Sequence, residues 1–219
     1  MCRGVCILEP FIRNDQYNFI KQQTQALING HASVNDTGVL DALKSLSAEK
    51  VLSLFEELSE EQKQLLSPVS NIKEREQADA FLDQIKEYVI PFAPLTEQSI
   101  KKLFPKVKKL KIPALEDIDF REISYLGWDD KGTNRKYMIS QLDGKLTGIS
   151  GTFKPLGKKG ICAICSKFEE TGMFLTETKG TQLGTYTKKG NYICQDSQKC
   201  NANLNSLEKM HDFIGRLKG

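Results

Sequence analysis

Histidine is nearly missing from this chain. His31 and His211 are the 2 in 219 residues, which leaves little room for acid–base or nucleophilic chemistry built on imidazole. Neither sits in a nucleophile–acid pattern, so both are expected to be structural or exposed. There is no Gly-rich phosphate loop and no nucleophile–histidine pair, and an enzyme is therefore not expected. No apolar run approaches the ~18 residues of a membrane span, which excludes transporters and receptors. The opening Met1-Cys2-Arg3-Gly4-Val5-Cys6-Ile7 has too short an apolar stretch for a secretory signal. A cytoplasmic location is expected. Internal repeats and low-complexity tracts are missing too.

What is present suits a folded, two-part protein. Hydrophobic residues make up 39% and charged residues 27%, enough to bury a core. The length allows one large domain or two small ones. Charge divides the chain: residues 1–95 carry 9 Lys/Arg against 14 Asp/Glu, and residues 96–219 carry 22 against 14. Such a split predicts two functional halves, the basic one suited to RNA or to an acidic protein face.

The acidic half reads as helix. Asn14-Asp15 offers a cap before Tyr17, Ile20, Thr24, Leu27 and Ile28, with Gly30 as a stop. Asp36 caps a second segment with Val39, Leu40, Leu43 and Leu46. Ser47 opens a third, with Val51, Leu52, Leu54, Phe55 and Leu58. Ser59 and Gln62 fit a capping box leading to Leu65 and Leu66. A longer helix is expected over about 72–90, ended by Pro91 and Pro94, and Thr96 caps a short one. Short connections imply an antiparallel bundle over 14–95, preceded by a disordered tail, 1–13, that contains Cys2 and Cys6.

The pattern changes near residue 104. Lys101, Lys102, Lys106, Lys108, Lys109 and Lys111 form a basic run, either a solvated linker face or a contact surface for an acidic partner. Ile118–Leu126, Tyr137–Leu142 and Leu146–Phe153 have strand composition, and Asp143-Gly144 is a hairpin signal. The expected class is α+β: a helical bundle, then a C-terminal α/β domain over 96–219.

Four cysteines carry the chemistry, as Cys162-x2-Cys165 and Cys194-x5-Cys200. Paired thiols at short spacing in a reducing compartment point to metal, and four thiolates suit one tetrahedral, structural Zn2+. The x5 spacing departs from the x2 of the commonest four-cysteine sites, yet one loop can still deliver both sulfurs. A redox Cys-x-x-Cys would need a thioredoxin-like strand–helix unit, which is missing. Four thiolates leave the ion with a formal −2, which Lys167, Lys188, Lys189 and Lys199 can offset. The last helix is expected after Asn205, with Glu208 as capping partner and Leu207, Met210, Ile214 and Leu217 as its apolar stripe. Phe213, at the stripe's edge, is either core or an exposed anchor.

These residues carry a family likeness. Gly127-Trp128, Asn134-Arg135-Lys136-Tyr137, the first cysteine pair, and Lys188-Lys189-Gly190-Asn191-Tyr192-Ile193-Cys194-x-Asp196-Ser197-x2-Cys200-Asn201 follow in order. The chain resembles the FusB/FusC-type proteins, elongation factor G-binding proteins associated with fusidic acid resistance, from about Asp15 to Leu217. The segment before Phe11 lies outside the pattern. The resemblance implies that the protein binds elongation factor G through that factor's C-terminal domains. It also implies that binding promotes release of the factor from the ribosome, protecting the target without modifying the drug. A 1:1 complex and a monomer when alone are expected, with no DNA or membrane partner. Carried onto matching positions, the partner-binding candidates are Ile164, Lys189, Tyr192 and Phe213, with Lys188 adding electrostatic steering. The alternative is a zinc-containing module that binds ribosomal RNA through the lysine run.

Overall fold

The starts of the first three helices in the acidic half are fixed by side chains that accept main-chain N–H groups there. The computed structural model describes residues 8–179 and 186–218. Its first helix, α1 (Asn14–Ser33), opens with Gln16 Oε1 accepting the Arg13 N–H at 2.9 Å. The α2 helix (Thr37–Leu52) opens with Asp36 accepting from Gly38 and Val39. The expected Ser59–Gln62 capping box starts α3 (Glu60–Leu66), and α4 (Arg75–Lys86) follows. Their apolar faces meet in a core that includes Ile20, Leu27, Val51, Leu66, Phe81 and Ile85.

Three expectations change in this half. Ser47 does not open a new helix. It is buried within α2, which runs unbroken from Thr37 and stops at Leu52. Leu54, Phe55 and Leu58 still pack on the core, but from irregular chain. The tail is also shorter than 1–13. Ile12 is fully buried and forms a parallel bridge with Val89, and the Phe11 and Ile12 N–H groups both donate to Tyr88 O. An apolar pair, Phe11-Ile12, is what draws this stretch into the core. Cys2 and Cys6 lie outside the described residues.

The chain divides into compact units at Met1–Ile90 and Pro91–Gly219. Phe92 and Leu95, read from sequence as the end of the bundle, are buried with Ile100, Phe104 and Trp128 of the second unit. The Phe92 N–H donates to Phe120 O at 2.7 Å.

In the second unit α5 (Glu97–Leu103) starts at Thr96, whose hydroxyl accepts the Ser99 N–H. An antiparallel sheet then runs in chain order: β1 (Tyr125–Asp130), β2 (Arg135–Leu142), β3 (Lys145–Ile161), β4 (Phe168–Lys179) and β5 (Tyr186–Cys194). The hairpin between β2 and β3 has positive φ at both Asp143 and Gly144, the geometry whose twist matches paired strands. Two short stretches complete the unit, α6 (Ser197–Asn203) and α7 (Glu208–Lys218).

The part of the sheet around β2 is covered on both faces. Tyr137 and Ile139 point to the side of α5 and the lysine segment, whereas Met138 points to the side of the cysteines, α6 and α7. Hence β2 is buried continuously from Lys136 to Ser140 rather than at alternate positions. On the α5 side the Trp128 and Tyr137 rings stack at 5.1 Å, Phe104 meets both edge-on, and Trp128 Nε1–H donates to Lys111 O. The lysine run is thus anchored through its interleaved apolar residues, Leu103, Phe104, Val107 and Leu110, with all six ammonium groups on the exposed side.

The strand expected at Ile118–Leu126 is displaced to 125–130. Gly127, which reads as a separator, lies inside β1. A Cβ there would come within 2.9 Å of Ser197 Cβ and 2.7 Å of the Tyr125 ring, so glycine allows α6 to seat against the strand.

Candidate metal centre and binding face

The sequence between β3 and β4 is too short for anything but a tight turn, and it forms one. The Cys162 N–H donates to Lys167 O, the Ser166 N–H donates to Cys162 O, and Ser166 takes φ +60° to close the knuckle. Cys194 ends β5. Asp196 then caps α6 through the Gln198 and Lys199 N–H groups, which places Cys200 in the helix. This helix is what shortens the x5 span: one turn of α6 brings Cys200 back beside the knuckle.

All four sulfurs are buried and lie within 4.8 Å of one another. Cys162 and Cys200 are 3.8 Å apart, and Cys165 and Cys194 are 3.6 Å apart. A tetrahedron with Zn–S bonds of ~2.3 Å has edges of about 3.8 Å, so the donor set fits the ion. The Ile164 and Cys194 N–H groups point at Cys162 Sγ, at 3.4 and 3.3 Å, and stabilise its thiolate. Hydrogen bonds from the Cys165, Cys194 and Cys200 thiols also hold the Cys162 thiol far below its ordinary pKa. The bond to Cys162 pushes Cys200 and Cys194 strongly upward. Four like charges cannot coexist there unaided, and a divalent cation removes the conflict. Held by four thiolates with no open position, the ion braces the fold rather than acting as a Lewis acid.

Two polar residues lock the ligand loop. Asn201, next to the last ligand, accepts the Ser124 and Tyr125 N–H groups and donates to Tyr125 O and Ser197 O. Lys136 is 1% exposed. Its ammonium donates to Gln195 O at 3.0 Å, Ser197 Oγ at 3.2 Å and Asp129 Oδ2 at 2.9 Å, and lies 4.8 Å from the centre of the Phe153 ring. It ties the segment between Cys194 and Cys200 to β2. Replacing Lys136 by Met strands these acceptors, and the expected cost is about 2 kcal/mol in chemical denaturation. Zinc loss to a chelator should quicken by roughly tenfold; an unchanged rate would show that Lys136 does not hold the loop.

The partner candidates fall into two groups. Ile164 is 1% exposed and Phe213 is 5% exposed, packed 5.9 Å from the Phe174 ring. Ile164 is turned into the fold beside the knuckle, and Phe213 packs on the sheet while lining the cleft beside it. Tyr192 is 43% exposed, Lys188 is exposed and pairs with Glu177 at 3.1 Å, and Lys189 is half-buried. Strand alternation sets Lys188 and Tyr192 on one face and Lys189 on the other. Between β5, the knuckle and α7 lies a cleft of about 860 Å3, with Lys188, Lys189, Phe213 and Arg216 in its lining.

Two family profiles match the chain: the N-terminal part of elongation factor G-binding protein over residues 11–93, and the FBP C-terminal treble-clef zinc-finger over 102–214. No curated protein sequence matches it. Among solved structures, that of the fusidic acid resistance protein FusC is similar with a TM-score of 0.86 at 34% identity, covering 96% of this chain and 99% of that one. The chain belongs to the FusB/FusC family of elongation factor G-binding proteins.

In this FusB/FusC-type protein the treble-clef profile spans all four cysteines, and they form one structural zinc site. Sequence reading missed Lys136, because a lysine in a strand normally marks a solvated face. It also missed Ile161 and Phe168, which pair across β3 and β4 beside the knuckle and are 64% and 61% exposed. Their only signal is position, one residue outside the knuckle and two residues beyond its second ligand's neighbour Ser166. No helix among the described residues is long and apolar enough to cross a membrane.

Proposed function

We propose that this protein binds elongation factor G and promotes its release from the ribosome, so that translation is protected from fusidic acid. Membership of an elongation factor G-binding family is the observation that carries the reading. The zinc-braced face supports it: Tyr192 and Lys188 stand on a strand whose end is pinned by the metal, and such preorganised aromatic and basic groups dominate interfaces. Lys189, on the opposite face of the same strand, lines the cleft together with Lys188 and Phe213. Ile164 acts from beneath, by fixing the knuckle.

Binding drives release only through a difference in affinity between two states of the factor. The protein must therefore prefer a factor conformation that the ribosome does not hold. It acts by binding, not catalysis, in the cytoplasm, as a monomer that forms a 1:1 complex with the factor's C-terminal domains.

An RNA-binding role gains no support from the lysine run. Its aromatic residue, Phe104, is buried, so the run offers no stacking platform for bases. Calorimetric titration of the zinc-loaded protein into bacterial elongation factor G should give a saturable 1:1 isotherm. Addition to ribosomes stalled by fusidic acid should then speed release of the factor. Absence of heat and of co-elution, with both proteins folded, overturns the proposal. Affinity for ribosomal RNA that falls steeply with salt would point to the alternative instead.

A further inference from the structure

The sheet ends at β5, and the outer edge of β5 forms one wall of the cleft. The Tyr192 N–H donates to Asn191 Oδ1, and Tyr192 O accepts the Ala163 N–H, both at 2.8 Å. Neither bond goes to β4, so both main-chain groups of Tyr192 face outward. In an antiparallel ladder this alternates along the strand. By the ladder register Lys188 and Gly190 share the phase of Tyr192 and Lys189 has the opposite phase; the Lys189 carbonyl also accepts from the Thr176 hydroxyl of β4. Among the described residues no hydrogen bond fills the outward N–H and C=O groups of Lys188 and Gly190, and both residues line the cleft. A Cβ at Gly190 would collide with Phe174 O of β4, so glycine is what the close pairing with β4 requires there.

We propose that an extended, acidic segment of elongation factor G adds as a strand along this edge, between β5 and α7. The proposal rests on the reading of that factor as partner. The two open positions are two residues apart, about 6.6 Å at strand rise, and their four outward groups would pair with alternate residues of the incoming strand. Charge selects the occupant. Lys188 pairs with Glu177, and Arg216 lies 3.8 Å from Asp212. Lys189 and Lys209, also in the lining, have no carboxylate partner among the described residues. A second copy of this chain would set lysine against lysine along the edge, which lysine-bearing edges resist. Ile161, Ala163 and Leu217 supply apolar walls for side chains of the bound segment.

The test is hydrogen exchange at single amides of the full, zinc-loaded chain, free and saturated with elongation factor G. The Lys188 and Gly190 amides should slow by roughly 100-fold on binding, while Lys189 and Asn191, already bonded to β4, change little. Lys188→Pro removes the outward N–H without touching a ladder bond. It should weaken binding about tenfold beyond Lys188→Ala, with zinc content checked for both. Tight binding with the two amides still fast, and equal affinity of the two variants, overturns strand addition while leaving the partner intact. Protection in the free protein that rises with its concentration means that a second copy occupies the edge, and also overturns it. No binding by the unmodified chain overturns both readings.

Discussion

Cys200→Ser should empty the metal site and unfold the second unit while the helices of the first remain. The variant leaves three thiolates and a buried hydroxyl around the cation. Structural zinc in small domains is worth roughly 10–16 kcal/mol in apparent binding free energy, comparable with or above a domain's net stability of about 5–15 kcal/mol. The Cys162, Cys165 and Cys200 sulfurs and the Phe174 and Phe213 rings share one core cluster, so the loss spreads through α6, α7 and the sheet. The first unit has its own core. Trp128 is the sole tryptophan and stacks on Tyr137 in the second unit, so its emission reports that unit alone. The expected result is no bound zinc, red-shifted emission, and retained helical dichroism from the first unit. A zinc-free variant with native emission would show that packing alone holds the fold.

Tyr192→Ala should weaken elongation factor G binding by roughly 30-fold or more, the scale of an aromatic hot spot at about 2 kcal/mol, with zinc content and thermal stability unchanged. The separation of effects follows from exposure. The Tyr192 ring lies opposite Met173 on the outer part of the sheet and is absent from the core clusters, so its truncation opens no cavity. Phe213→Ala is a different experiment: the ring is buried against Phe174, and its removal should cost about 3–5 kcal/mol of stability, which confounds any loss of affinity. Titration calorimetry on Tyr192→Ala, beside a thermal scan, decides the assignment. Unaltered affinity from a folded variant would remove Tyr192 from the interface.

The parts of this molecule legible in its sequence were those fixed by local chemistry. Asp36, Ser59 and Thr96 start helices because each side chain satisfies N–H groups within its own turn. Asp143-Gly144 closes a hairpin because both residues tolerate positive φ. The four cysteines declared a metal site through residue type and spacing alone, and Cys162-x2-Cys165 needed only a turn. Helix ends read less well. Nothing local marks Ser47 as interior to α2, and the hydroxyl is tolerated there because the helix continues through it.

Tertiary structure decided what depends on neighbours distant in sequence. Ile12 is core rather than tail because Val89 and Tyr88 offer it an edge. Phe92 and Leu95 belong to the second unit because Phe120 and Trp128 lie there. Whether Phe213 and Ile164 faced solvent turned on Phe174 and on the knuckle, which periodicity cannot see. Lys136 could be recognised as a clamp only once Asp129, Gln195 and Ser197 had converged on its ammonium. The same holds for the open groups of Lys188 and Gly190, since the edge of a sheet exists only after its strands have paired. Sequence alone determined the helix caps, the hairpin, the four ligands and the family likeness, because each is set within a few residues or by a pattern of residue types. Burial, charge compensation and the unfilled edge were decided by the fold, because each is a property of which surfaces meet.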